Sequence, residues 1–145
     1  MKKDLKKGLA VFAIVATLVP TMVFASENTE PPPVLGPGEW DGLLDSEYGV
    51  YSSRWVSTRE VNSGGGDLRV CVSGVNSGNT ITVNVYEADV ASDDTVKTGL
   101  TFTSANKTCS PNLDVEGYVD SGYAEIFLKL KGKATSDTVR VYIDD

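Results

Sequence analysis

Two runs of alternating apolar and polar residues, separated by a Gly/Asn/Ser-rich break, form the most ordered pattern in the chain. In the first, Leu68, Val70 and Val72 point one way and Arg69, Cys71 and Ser73 the other. In the second, Ile81, Val83 and Val85 oppose Thr82, Asn84 and Tyr86. A period of two puts alternate side chains on opposite faces of a strand. Residues 66–86 therefore predict a β-hairpin with one apolar and one polar face, closed by the loop Gly74 to Asn79.

The same alternation recurs toward the C-terminus. Ala124, Ile126, Leu128 and Leu130 face away from Glu125, Phe127, Lys129 and Lys131, and Val139, Val141 and Ile143 alternate with Thr138, Arg140 and Tyr142. Further strands are expected over Val96 to Ser104, where Leu100 and Phe102 share a face, and around Leu113, Val115 and Val119. Tyr51 to Val61 reads as an early strand, but Trp55 and Val56 are adjacent, so one of them leaves the core or sits at a bulge. Glu39 to Gly49, with Trp40, Leu43, Leu44 and Tyr48 among acids, has the spacing of a short helical turn. Seven or eight short strands with frequent turn residues predict an all-β fold, a small antiparallel β-sandwich of jelly-roll or immunoglobulin-like topology. A closed barrel is second, because a ligand-holding barrel needs more inward polar positions than the pattern offers.

The first residues break this pattern. Lys2, Lys3, Lys6 and Lys7 precede an apolar stretch from Leu9 to Phe24 and a Val23-Phe24-Ala25 ending, the pattern of a secretory signal peptide over 1–25. Residues 26–38 hold four of the six prolines and read as an extended, polyproline-like tail, leaving 39–145 as the sandwich domain. Ser26 follows Ala25, so no lipid-bearing cysteine stands there, and the expected product is secreted to the extracellular side with no membrane attachment in its mature form.

Residues 1–25 hold four of the 13 Lys and Arg and one of the 20 Asp and Glu, so the remainder carries 9 against 19, a net charge of −10. Such a chain repels nucleic acid and anionic lipid, and stays soluble. Histidine is absent, which removes Ser-His-Asp and Cys-His nucleophilic sites and most catalytic zinc sites. Carboxylate-only chemistry, as in glycoside hydrolysis, has no specific signal among so many surface acids, and the chain reads as a non-enzyme with no cofactor.

Cys71 and Cys109, the two cysteines, lie 38 positions apart. Cys71 falls on the polar face of its strand, where a core thiol has no reason to be, and export places both in an oxidising compartment. A Cys71–Cys109 disulfide is expected. The acids Glu87, Asp89, Asp93 and Asp94 form the densest set of oxygen ligands but lack the spacing of a calcium loop, so a solvated acidic turn is expected and no metal.

Tyr86, Tyr118, Phe127 and Tyr142 all project opposite the aliphatic residues, on four predicted strands. Cross-strand stabilisation or cover for the Pro-rich tail accounts for them structurally. The functional reading is a ligand platform in which Asn84, Arg69 and Glu125 supply hydrogen bonds beside the rings. The chain thus reads as a binding module for a glycan or a cell-surface protein. The alternatives are an assembly subunit that self-associates through a strand edge or the tail, and a secreted effector or inhibitor.

Overall fold

The computed structural model describes residues 40–145, and the expected signal peptide and tail lie outside them. In chain order the strands are β1 (Gly42–Tyr51), β2 (Val56–Ser57), β3 (Val61–Ser63), β4 (Asp67–Ser73) and β5 (Ile81–Glu87). They continue with β6 (Asp94–Phe102), β7 (Thr108–Cys109), β8 (Leu113–Asp114), β9 (Ala124–Gly132) and β10 (Ser136–Asp144). A 3-10 turn spans Glu116–Tyr118.

All pairings are antiparallel and fall into two sheets. The first runs β1-β10-β4, with β7 and β8 both on the far edge of β4; the second runs β9-β5-β6, with β2 and β3 both on the outer edge of β9. Between the sheets lie the apolar halves of the alternating runs. Leu68, Val70 and Val72 of β4, Ile81, Val83 and Val85 of β5, and Ile126, Leu128 and Leu130 of β9 are all wholly buried. Each such side chain contributes about 1.5–3 kcal/mol on burial, which makes this layer the main source of stability. The fold is the antiparallel β-sandwich that the alternation implies, with ten strands among the described residues in place of seven or eight.

The predicted hairpin is corrected. β4 and β5 are both strands with the expected inward residues, but they pair with different partners in different sheets. The segment between them crosses from one sheet to the other, carrying Val75 into the end of the core at 1% exposure. Asp137 of β10 holds this crossing. Its carboxylate accepts from Asn76 N–H at 3.1 Å, Asn76 Nδ2 at 2.6 Å, Asn79 Nδ2 at 2.7 Å and its neighbour Thr138 N–H at 2.8 Å. Alternation specifies which face of a strand is buried, not which strand lies beside it.

Three further expectations change. The expected turn over Glu39 to Gly49 is absent from its described residues, Trp40 to Gly49, because Gly42 onward is β1, whose Leu44 and Val50 enter the core while nine positions pair with β10. The single strand over Tyr51 to Val61 is instead two short ones, β2 and β3, on either side of Thr58. Leu128 N–H of β9 is satisfied there by Thr58 Oγ1 at 3.0 Å. The strand around Leu113 to Val119 stops at Asp114, where Leu113 and Val115 are buried and the 3-10 turn follows.

The disulfide joins Cys71 of β4 to Cys109 of β7, which face each other directly in the register. It lies on the outer side of the first sheet, as the polar-face position of Cys71 implies.

Candidate functional site

The outer face of the second sheet is built by the polar halves of β5 and β9. Tyr86 and Phe127 are direct cross-strand partners, and Asn84 faces Lys129 two pairs further along, the next pair on this face. The two rings stack with centroids 5.4 Å apart and planes 20° from parallel. Lys129 Nζ lies 4.5 Å from the Tyr86 ring centroid and 5.3 Å from that of Phe127. It also sits 3.7 Å from Asp93 Oδ2. Ammonium groups over ring faces are held by the ring quadrupole, so this lysine is positioned and not freely mobile.

Two residues further along β9, Lys131 Nζ lies 5.7 Å from the ring of Trp55. Trp55 precedes β2 and is 43% exposed, while its neighbour Val56 is half-buried. The rings and ammonium groups thus form a strip across β5, β9 and the β2 edge. Sequence reasoning left Trp55 out of the site, although the adjacent Trp55-Val56 pair had already required one of the two to leave the core.

Asn84 has a structural task within this face. Its Oδ1 accepts from Gly99 N–H at 2.9 Å. Gly99 has φ +73° and marks a bulge where the β5–β6 register slips between Val83 and Val85. A side chain at that φ is strained, so glycine permits the bulge and Asn84 fastens it. Asn84 Nδ2 also lies 3.4 Å from Tyr86 Oη.

The four aromatics of the sequence reading are not one platform. Phe127 is 7% exposed, lying beneath Tyr86 and the Lys129 stem. Tyr142 is on β10, so it projects from the outer face of the first sheet, on the other side of the sandwich. There Lys107 Nζ lies 4.0 Å from its ring centroid and Ser73 Oγ is 3.4 Å from its hydroxyl. Arg69 stacks over Trp40 at 4.1 Å and pairs with Asp144 at 3.1 Å, also on that first-sheet face. Tyr118 belongs to the 3-10 turn, packs partly against the core, and donates its hydroxyl to the Thr95 carbonyl at 3.2 Å. Glu125 is half-buried on β9, two residues before Phe127.

The electrostatics differ between regions. Glu87 ends β5 at 6% exposure. Burial pushes its carboxyl above the ordinary glutamate range, opposed by a hydrogen bond from the Glu125 backbone and reinforced by the charges of Asp120, Asp89 and Asp94. Asp45 on β1 is shifted down by the paired hydrogen bonds from Arg140, at 2.6 and 2.9 Å, which outweigh the opposing effect of desolvation, with the Arg140 and Lys107 charges adding to them. Among the described residues no group of three or more His, Cys, Asp or Glu is placed to hold a metal ion. A polar depression of about 500 Å³ opens at the end of the first sheet, lined by Gly49, Tyr51, Asn76, Ser136, Asp137 and Thr138, where Asp137 is occupied by the hydrogen bonds of the crossing.

Residues 44–143, more than half of the chain, match the family model described as the YndA coiled coil domain, and the chain belongs to that family. That description names a coiled coil, whereas the matched residues fold as strands around a period-two core. Among the described residues there is no α-helix to carry a heptad seam. No curated protein matches the sequence. Among solved structures, that of infectious bursal disease virus Gt strain is similar with a TM-score of 0.41 and 8% identity, over 79% of this chain and 37% of that one. The Gx strain structure of the same virus gives 0.41 and 8% over 73% and 31%. The chain spans roughly a third of those viral chains, and its sandwich assignment rests on its own strand pairing.

Proposed function

We propose that this chain is an exported, non-enzymatic binding module whose glycan or cell-surface ligand lies on the outer face of the second sheet. The observation that carries this reading is the strip formed by the stacked Tyr86 and Phe127, the Lys129 ammonium over both rings, and the exposed Trp55 beside Lys131. Such a strip offers apolar contact and charged hydrogen-bond donors on a rigid sheet, which suits a ligand lying along the surface. The Lys-rich start and apolar stretch of residues 1–25 support export, and the absence of histidine supports the lack of a nucleophilic site.

The test is a binding screen of the exported chain against immobilised glycans and cell-envelope material. Trp55→Ala and Tyr86→Ala are expected to weaken capture about tenfold or more, as truncation of aromatic anchors does. Tyr142→Ala, on the opposite face, leaves capture unchanged. Equal loss for all three, or for none, contradicts the assignment of this face.

A second reading, an assembly subunit joined by strand addition, is favoured by β6, a nine-residue strand at the open edge of the second sheet. Its Gly99 bulge and exposed Lys97 blunt that edge, which places this reading second. Concentration-dependent mass in sedimentation would promote it.

A further inference from the structure

The outer face of the second sheet carries two lysines in a chain that is acidic as a whole. Lys129 and Lys131 both project from it on β9, each beside an aromatic ring. The acids gather at one end of the same sheet, where Glu87 closes β5, Asp94 opens β6, and Asp89, Asp120 and Glu125 lie nearby; Asp93 reaches from that end to Lys129 at 3.7 Å, which leaves Lys131 as the lysine set apart from them. From Glu125 to Lys131 is six residues along one strand, about 20 Å at the rise of an extended chain. That exceeds two screening lengths of ~8 Å at physiological ionic strength. The acidic end therefore does little to cancel the field at Lys131, and the net charge of the chain misrepresents this face.

Rings and ammonium groups also follow one another in a definite order. Tyr86 and Phe127 come first, Lys129 next, and Lys131 with Trp55 after it. We propose that the ligand of this face is an anionic polysaccharide, its sugar rings against Trp55 and Tyr86 and its carboxylate groups on Lys131 and, in exchange for Asp93, on Lys129. The proposal rests on the binding-module reading and names its ligand class. Charge density separates this ligand from nucleic acid. A duplex carries one negative charge per roughly 1.7 Å and a single strand one per about 3.4 Å, so nucleic acid brings more charge near the acids of this sheet than a polysaccharide with about one charge per sugar.

The exported chain is titrated with polygalacturonate, poly(glycerol phosphate), neutral dextran and single-stranded oligothymidylate, at low and at high salt, following intrinsic tryptophan emission and heat. Binding to polygalacturonate is expected, weakened roughly tenfold by high salt and by the Lys129→Gln/Lys131→Gln pair. Binding to poly(glycerol phosphate), which has no sugar ring, in place of polygalacturonate overturns the seating of sugar rings on Trp55 and Tyr86. Trp55→Ala weakens the same binding, and Lys107→Gln on the opposite face does not. Thermal unfolding of each variant shows whether the fold is intact, and Lys131→Gln alone serves if loss of Lys129 disturbs it. Salt-insensitive binding to dextran, unaffected by the lysine pair, overturns the anionic ligand while leaving the binding module standing. Tighter binding to oligothymidylate overturns the glycan assignment. Failure to bind all four polymers overturns the proposal, and capture of envelope material then decides separately whether the binding module survives.

Discussion

Tyr86 and Phe127 stand opposite each other on β5 and β9 with their rings stacked 5.4 Å apart, on the side of the sheet away from the core. The pair couples a buried ring to a half-exposed one. Phe127→Ala is expected to cost about 3 kcal/mol, at the low end for a buried aromatic, and Tyr86→Ala about 1 kcal/mol. A double-mutant cycle by urea unfolding should show a coupling of about 1 kcal/mol between them. Strict additivity would mean that the rings do not stabilise each other.

The Cys71–Cys109 bond closes a segment of 38 residues that includes β5 and β6. On the chain-entropy account its removal costs about 3–4 kcal/mol. Replacing both cysteines by alanine should lower the denaturant midpoint to match that loss and abolish the response of the unsubstituted chain to reductant. No change in midpoint would show that the cross-link adds nothing to stability.

Asp137 ties β10 to the crossing between the sheets through Asn76 and Asn79. Asp137→Ala leaves several donors without an acceptor in a buried setting and should cost about 3 kcal/mol or more. Asp137→Asn keeps part of the network and should cost less. Amide exchange at Asn76 and Thr138 should accelerate in the alanine variant before exchange in β9 does. Uniform acceleration across both sheets would contradict a local role.

The sequence pattern revealed faces far better than neighbours. The inward positions of β4, β5, β9 and β10 were legible because burial on one side imposes a period of two, and the polar-side position of Cys71 pointed to its bond. The true partners of β4 and β5 were not legible, since Asp137, which holds the segment that turns the chain into the other sheet, acts through contacts with Asn76 and Asn79, 61 and 58 positions away. The helical spacing of Leu43, Leu44 and Tyr48 was overridden by the ladder with β10. The aromatic site was half legible. Outward parity was right for Tyr86 and Tyr142, but parity is silent on which sheet a strand joins, and so on which side of the molecule a ring lies.

Glu87 predicts a pH dependence. Its folded carboxyl holds a proton to higher pH than it does in the unfolded chain. The folded state therefore binds more protons between the ordinary glutamate value and the raised one. The stabilisation is complete below that ordinary value and is lost as pH rises through the raised value. Glu87→Gln should thus gain stability relative to the unsubstituted chain at neutral pH and show little gain in acid. Asp45, shifted down by Arg140, acts in the opposite sense, its contribution being lost as pH falls through the folded value. Unfolding curves of Glu87→Gln and Asp45→Asn across pH should diverge in these two directions, and parallel curves would contradict both assignments.

The proposed ligand face is tested most directly by amide and indole chemical-shift mapping of the chain during titration with polygalacturonate. Shifts are predicted at Asn84, Tyr86, Phe127, Lys129, Lys131 and the Trp55 indole, with Arg69, Ser73 and Tyr142 on the other sheet unmoved. Saturable shifts confined to the first sheet or to the polar depression beside Tyr51 would contradict the account.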